Sequence, residues 1–212
     1  MNSPVILAGS ACLNVVFAGV GGQGTILASD ILAEVGSRVG LQVKKAEVHG
    51  MSQRGGTVIS HVRIGPEVYS PIIARGSADI LLGFEKLETL RAISLLRPGR
   101  IVISDRYQIP PITVSAGSAA YPADSDIHFA LCQVAGQVHW VSGMEIARDL
   151  GNIRTANVVL LGALAALLEI PRSVWQEAVE GRVPLKHREI NRQAFEAGFK
   201  ALTVDPALQK PT

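Results

Sequence analysis

A single α/β domain with a mainly parallel sheet and helices on both faces is the fold that this chain predicts. Three observations predict it. Short β-rich runs alternate with helical runs as far as residue 141. A glycine turn, Gly19–Gly24, joins the first strand to the first helix. The last third reads as helices alone, one of them apolar nearly all round. At 212 residues, the chain suits one sizeable domain and is short for two.

The elements follow in order. Residues 1–12 read as a leader or edge segment. Val5–Ala8 followed by Gly9-Ser-Ala-Cys12 has a faint look of a secretion signal, but no basic residue precedes Val5. The apolar run is also shorter than the roughly 7–15 residues that a signal uses. Leu13–Phe17 is a strand. Gln23–Val35 is a helix, with Ile26, Leu27, Ile31 and Leu32 at helical spacing and Gly36 and Gly40 closing it. Leu41–Val48 is a second strand and His49–Gly56 a polar loop. Thr57–Ile64 alternates, and Gly65-Pro66 turns it toward Glu67–Ser70, which predicts a β-hairpin insertion.

Asp79–Phe84 is a short buried strand, Glu85–Leu96 a helix stopped by Pro98-Gly99, and Arg100–Ser104 a strand. Tyr107–Ala123 has no helical period and reads as loop with short strands. Asp124–Val134 is a helix capped by Asp124 or Ser125. Gln137–Val141 is a strand, and Ala147–Leu150 a helical turn ending at Gly151. Asn157–Glu169 is the apolar helix, and its Gly162, Ala163, Ala165 and Ala166 allow close packing. Pro171 and Pro184 open two more helices, Ser173–Glu180 and Leu185–Ala201. Residues 13–202 are thus the domain and 203–212 a tail.

Composition excludes several classes. Apolar residues make up 48% and charged ones 18%, so a core can form. A net charge of +2 does not point to nucleic acid or to a membrane surface. The longest apolar run, Val158–Leu168, falls well short of the about 20 residues of a membrane span. A soluble, cytoplasmic protein is expected. Fourteen of the twenty basic residues are Arg, which suits fixed contacts with carboxylates or phosphates, or a GC-rich genome. Cys12 and Cys132 are the only cysteines. A cubane iron–sulfur cluster needs about four thiolates, so this chain alone holds none.

Gly19-Val-Gly-Gly-Gln-Gly24 fits the GxGxxG pattern through Gly19, Gly21 and Gly24, after a strand and before a helix. With Gly22, Gln23 and Thr25 it predicts a Rossmann-like turn whose backbone N–H groups could receive a phosphate or carboxylate. Glu47, at the end of the next strand, sits where a dinucleotide fold places its ribose acid. A stand-alone dinucleotide oxidoreductase is therefore one reading. A turn that merely packs helix on strand is another. Gln23 counts against the first, because a dinucleotide turn usually carries a small or apolar residue there.

The most specific stretch is Glu47-Val-His-Gly-Met-Ser-Gln-Arg-Gly-Gly56. His49, Ser52, Gln53, Arg54, Gly55 and Gly56 are its ligand or interface candidates, with Arg54 projecting from the loop. Together with the glycine turn it resembles the γ-type domain of the 2-oxoacid:ferredoxin oxidoreductases, and the β subunits of the indolepyruvate enzymes in particular. The resemblance runs from about Asn14 to Phe199. It includes Ser60-His-Val-Arg63, Ala78–Glu85, Arg154-Thr-Ala-Asn157 and Asn191–Gly198.

The resemblance implies oxidative decarboxylation of an arylpyruvate to acyl-CoA, with electrons passed to ferredoxin. It implies that thiamine diphosphate, Mg and [4Fe–4S] clusters lie on a large α subunit, through which ferredoxin is reached, and that CoA is the co-substrate. No catalytic residue, metal or cofactor is expected on this chain alone. The absence of a GDG segment, which binds magnesium in thiamine diphosphate enzymes, agrees. A purely structural subunit of the same complex is the third reading. Outside the loop, His61 reads as a surface or interface residue and His49 as a loop hydrogen-bonder. Asn157 reads as a satisfied polar group. Asp105 is either a ligand position or a turn cap.

Overall fold

Eight consecutive buried residues, Leu13–Val20, form β1, and every other layer is arranged around it. The structure, a computed structural model, describes residues 12–49 and 56–203. After β1 come α1 (Thr25–Arg38), β2 (Gln42–His49), β3 (Thr57–Gly65) and β4 (Ala78–Gly83). Then follow α2 (Lys86–Ala92), β5 (Leu96–Asp105), α3 (Ile112–Ser115), α4 (Asp124–Cys132) and β6 (Gln137–Val141). The rest is helical: α5 (Gly143–Asp149), α6 (Ala156–Ala165), α7 (Arg172–Arg182) and α8 (Arg188–Thr203).

The strands form one sheet in the order β2-β3-β1-β4-β5-β6. β4 lies parallel to β1, β5 to β4 and β6 to β5. β3 is antiparallel to both β1 and β2, so it alone opposes the other five strands. The expected α/β architecture holds. One core lies between the sheet and α1, α6, α7 and α8, around Phe17, Leu32, Leu82, Leu161 and Phe195. The other lies under α2 and α4, around Val16, Leu81, Val102, Ile127 and Leu131. Helices therefore do cover both faces, because strands buried on both sides need two apolar covers.

Several sequence expectations are corrected. The hairpin is β2–β3, with Gln42 opposite Gly65 and His49 opposite Val58. Glu67–Ser70 forms no strand. β5 begins at Leu96 and includes Pro98-Gly99, because the β4–β5 register shifts between Ala78 and Ile80 and leaves the Pro-Gly pair in a bulge. α2 correspondingly stops at Ala92. The cap of α4 is Ala123, without a side-chain hydrogen bond. Asp124 instead lies inside the helix and spends its carboxylate on Lys86, Nζ to Oδ1 2.5 Å. Tyr107–Ala123 holds α3 and no strand. Gly36 lies within α1, and Ala147–Leu150 is the end of a longer helix.

The close packing expected of the apolar helix is present. All ten residues of α6 are buried. A Cβ on Gly162 would lie 2.0 Å from the Phe195 carbonyl oxygen, and one on Gly198 would lie 1.8 Å from that of Val159. α6 and α8 thus touch backbone to backbone. No helix among the described residues is long and apolar enough to cross a membrane.

Candidate functional site

β1 ends at Val20, and the chain must reverse within four residues to start α1. Gly24 makes this possible with φ +80°. It also abuts Asn157: a Cβ there would sit 2.6 Å from the amide nitrogen. Gln23, expected to be awkward for a dinucleotide, is a clip. Its Oε1 accepts the Val20 N–H at 2.7 Å, and its Nε2 donates to the Phe84 carbonyl at 2.7 Å. One side chain therefore fastens the ends of β1 and β4. Gly19 leaves room for it, since a Cβ at Gly19 would lie 3.0 Å from Gln23 Oε1 and 2.8 Å from Thr25 Oγ1.

The Gly21 N–H donates to the Gly56 carbonyl at 2.9 Å, which brings the end of the polar loop onto the turn. Gly19, Gly21, Gly22, Gln23, Gly24, Thr25 and Gly56 are thus assembled as one feature. His49 closes β2 opposite Val58. Ser52, Gln53, Arg54 and Gly55 lie outside the described residues.

Beside the turn, at the carboxyl ends of β1, β4 and β5, lies a cavity of about 480 Å³. Its apolar wall includes Leu27, Met144 and Leu160, and its polar groups are Asp105, Arg154 and Asn157. On the other side of the turn, a second cavity of about 440 Å³ is bounded by Val20, Thr25, Ile26 and Val58. Crevices beyond the carboxyl ends of strands are where open α/β sheets take ligands.

Two polar groups here have unusual surroundings. Thr25 is 3% exposed, and its hydroxyl has no partner among the described residues. Asp105 is 2% exposed. It accepts the Tyr107 and Met144 N–H groups, each at 3.1 Å. Burial pushes its carboxyl up to about 7, although N–H groups of Tyr107, Met144 and Gly143 pull the other way. No cation pairs with it among the described residues. Asp105 therefore secures the loop after β5, as the turn-cap alternative expected, and its side chain also lines the cavity. The Arg154 guanidinium has no ion pair among the described residues.

Asn157 is a satisfied buried polar group, as expected. Its Oδ1 accepts the Val158 N–H at 3.0 Å, and its Nδ2 reaches the Gly24 carbonyl at 3.5 Å. His61 is a correction. It is 5% exposed, and its Nδ1 accepts the Ile73 N–H at 3.2 Å. Strand alternation suggested a surface, but the segment before β4 folds over that face, and burial lowers the His61 pKa. Glu47 is also displaced from its dinucleotide position. β3 stands between β2 and β1, so Glu47 is two strand spacings from β1, roughly 9–10 Å. It pairs with Lys45 at 2.6 Å.

Sequence reasoning did not assign Arg154, Met144 or Leu160 to the site. No motif spacing links them to the turn. Arg154 and Leu160 meet it because α6 and the turn before it dock against the start of α1, and Met144 because the start of α5 is tied to Asp105 at the end of β5.

Comparison with known proteins places this geometry. The family model for pyruvate ferredoxin/flavodoxin oxidoreductase matches residues 14–201. The indolepyruvate oxidoreductase subunit IorB of Thermococcus kodakarensis is 41% identical over 89% of this chain and 95% of its own length. The corresponding subunit of Pyrococcus horikoshii is 39% identical over the same shares. Among solved structures, the keto/oxoacid ferredoxin oxidoreductase gamma subunit of Geobacter sulfurreducens superposes with a TM-score of 0.68. It is 27% identical, and the match covers 91% of this chain and 99% of that one.

Proposed function

The chain belongs to the pyruvate ferredoxin/flavodoxin oxidoreductase family as a small subunit of a 2-oxoacid:ferredoxin oxidoreductase complex, and from that premise we propose its finer role. It serves the oxidation of an arylpyruvate, indolepyruvate in the first place, to the acyl-CoA. It does so beside a large subunit that carries thiamine diphosphate, magnesium and the iron–sulfur clusters and that hands electrons to ferredoxin. The names of the relatives at 41% and 39% identity support the substrate class.

The residues of this chain do not fit a cubane cluster. Its two cysteines are both free. Cys12 Sγ donates to the Glu67 carbonyl at 3.2 Å, while Cys132 Sγ lies 3.6 Å from His128 Nε2. No group of three or more His, Cys, Asp or Glu among the described residues could hold a metal. The thiolates of a cluster must come from a partner.

The observation that carries the role is the paired cavities around an uncapped helix start. The start of α1 without a side-chain cap, the Thr25 hydroxyl with no partner among the described residues, and Arg154 suit an anionic group. We assign Gly19, Gly21, Gly22, Gln23, Gly24 and Thr25, with His49 and the segment Ser52, Gln53, Arg54, Gly55 and Gly56, to contact with CoA phosphate or with the large subunit. The dinucleotide reading fits less well, because β3 removes Glu47 from reach of the turn.

The test is co-purification with a large subunit, followed by turnover of indolepyruvate with CoA and an electron acceptor. Activity only in the complex, with an Arg54→Ala variant that loses complex affinity or raises the KM for CoA, supports the role. Wild-type assembly and wild-type constants in that variant would remove Arg54 and its loop from the site. Micromolar binding of NAD(P)H by the chain alone would favour the dinucleotide reading.

A further inference from the structure

A third cavity opens at the same end of the sheet but on its opposite face, under α4. It has a volume of about 310 Å³ and is lined by Lys86, Arg106, Asp124, Ser125, His128 and Trp140. These six side chains come from α2, the residue after β5, α4 and β6, so four separate segments converge on it.

Their chemistry is complementary to one kind of ligand. Lys86 forms the inner wall, with its side chain 8% exposed, and its ammonium is 2.5 Å from Asp124 Oδ1. Asp124 itself is 77% exposed, so an entering anion can displace it toward water. Arg106 is exposed and has no ion pair among the described residues. Its guanidinium sits 6.0 Å from the centre of the Trp140 ring, at the outer limit of a cation–π contact. Two cations thus face the cavity against one carboxylate. The α4 N-terminus, without a side-chain cap, adds to the positive field.

The aromatic wall is held in a fixed orientation. Trp140 Nε1 donates to His128 Nδ1 at 3.1 Å. His128 therefore accepts at Nδ1, and a proton on Nε2 points toward Cys132 Sγ, 3.6 Å away. Trp140 spends its only polar group on this contact, its indole lines the cavity, and the Arg106 guanidinium lies over its ring. An indole held by a hydrogen bond beside two cationic groups suits a flat ring that ends in a carboxylate: the ring stacks and the carboxylate takes Arg106 and Lys86. The volume is near the lower bound for small-molecule sites, which limits the ligand to one or two fused rings.

We infer that the Trp140–Arg106–Lys86 cavity is a binding site for a small aromatic carboxylate, separate from the glycine-turn cavities. Its failure would leave the subunit assignment standing, since neither the family membership nor the glycine turn depends on it.

The experiment is calorimetric titration of the full chain with indole-3-acetate, and with indole and acetate as its two halves. Saturable binding of indole-3-acetate below about 1 mM is expected, with neither half binding in that range. Arg106→Gln, a change at an exposed residue, should weaken binding about tenfold or more. Trp140→Leu should weaken it as well, whereas Arg154→Gln, in the other cavity, should bind as wild type does. No saturable heat, or unchanged affinity in Arg106→Gln, would overturn the site. Equal affinity for indole alone would overturn carboxylate recognition. Loss of binding in Arg154→Gln would move the ligand to the other face of the sheet and overturn the site too.

Discussion

Asp79 and Asp105 are buried aspartates at opposite ends of the same sheet. Asp79, 6% exposed, opens β4 at the amino ends of the parallel strands. It accepts the Asn14 N–H at 3.0 Å and has Arg97 and Arg100 at 3.3 and 3.5 Å. Asp105, 2% exposed, closes β5 at the carboxyl ends, accepts two N–H groups and has no cation paired with it among the described residues. The first end of the sheet has its charge balanced internally. The second holds a carboxyl whose pKa is pushed up to about 7 and, among the described residues, a hydroxyl without a partner at Thr25 and a guanidinium without an ion pair at Arg154. One end has its buried carboxylate compensated within the fold, and the other has buried polar groups that line a cavity.

The largest effect that would test this contrast lies at the turn itself. Gly24→Val forces a β-branched residue into φ +80° and into Asn157. The backbone strain and the overpacking together should cost on the order of 4 kcal/mol, read from urea denaturation. A loss below about 1 kcal/mol would mean that the turn relaxes freely and is no rigid platform.

Asp105 comes next. Its folded pKa of about 7 lies above the ordinary value of 3.8, so the folded state holds the proton more tightly than the unfolded chain does. Stability should therefore be greatest below pH 4 as far as this group is concerned. It should fall as pH rises toward 7, by an amount on the order of a few kcal/mol. In Asp105→Asn this slope should vanish, whatever the baseline cost of the altered hydrogen bonds. Parallel pH profiles for the variant and the parent would refute the difference drawn between the two aspartates.

Asp79→Ala should cost about 1–3 kcal/mol, because the buried Asn14 N–H is left without its acceptor. The same change should leave the cavities at the far end untouched, so ligand affinities measured on the folded variant should not move. The smallest effect is at Thr25. Replacing a buried hydroxyl that has no partner among the described residues by the isosteric Thr25→Val should change thermal stability by less than about 1 kcal/mol, in the stabilising direction. The same variant should weaken whatever anion the α1 start receives. A clear loss of stability would mean that the hydroxyl already has work inside the fold.

Local signals made the elements and the glycine turn legible. Alternation marked β3, helical spacing marked α1, and the small residues of α6 announced a close crossing. Strand order was not legible, since a period of two reveals which faces are buried but not which strand lies alongside. The sequence therefore points to a hairpin with Glu67–Ser70 and to Glu47 near the turn, whereas the fold pairs β3 with β2 and sets β3 between Glu47 and β1. Pro98-Gly99 looked like a stop because proline cannot donate to a ladder, yet a bulge removes that requirement. His61 looked exposed because nothing local shows that a later segment will cover its face. Met144 carries no signal of its own, and Arg154 only that of a motif in the resemblance, with nothing to tie it to the turn: long-range docking sets both beside it.

The position of β1 has a consequence for how the chain comes to exist. Its eight residues are all buried, yet its two neighbours, β3 and β4, begin at Thr57 and Ala78. A nascent chain exposes β1 first and completes its second partner only when Gly83 has cleared the ribosome. At roughly 5–20 residues per second, that interval lasts several seconds. An unpaired apolar strand left open for so long favours misassembly with other chains. Slower translation before Gly83, or scarcity of chaperones, should therefore reduce the yield of this subunit even where the finished domain is stable.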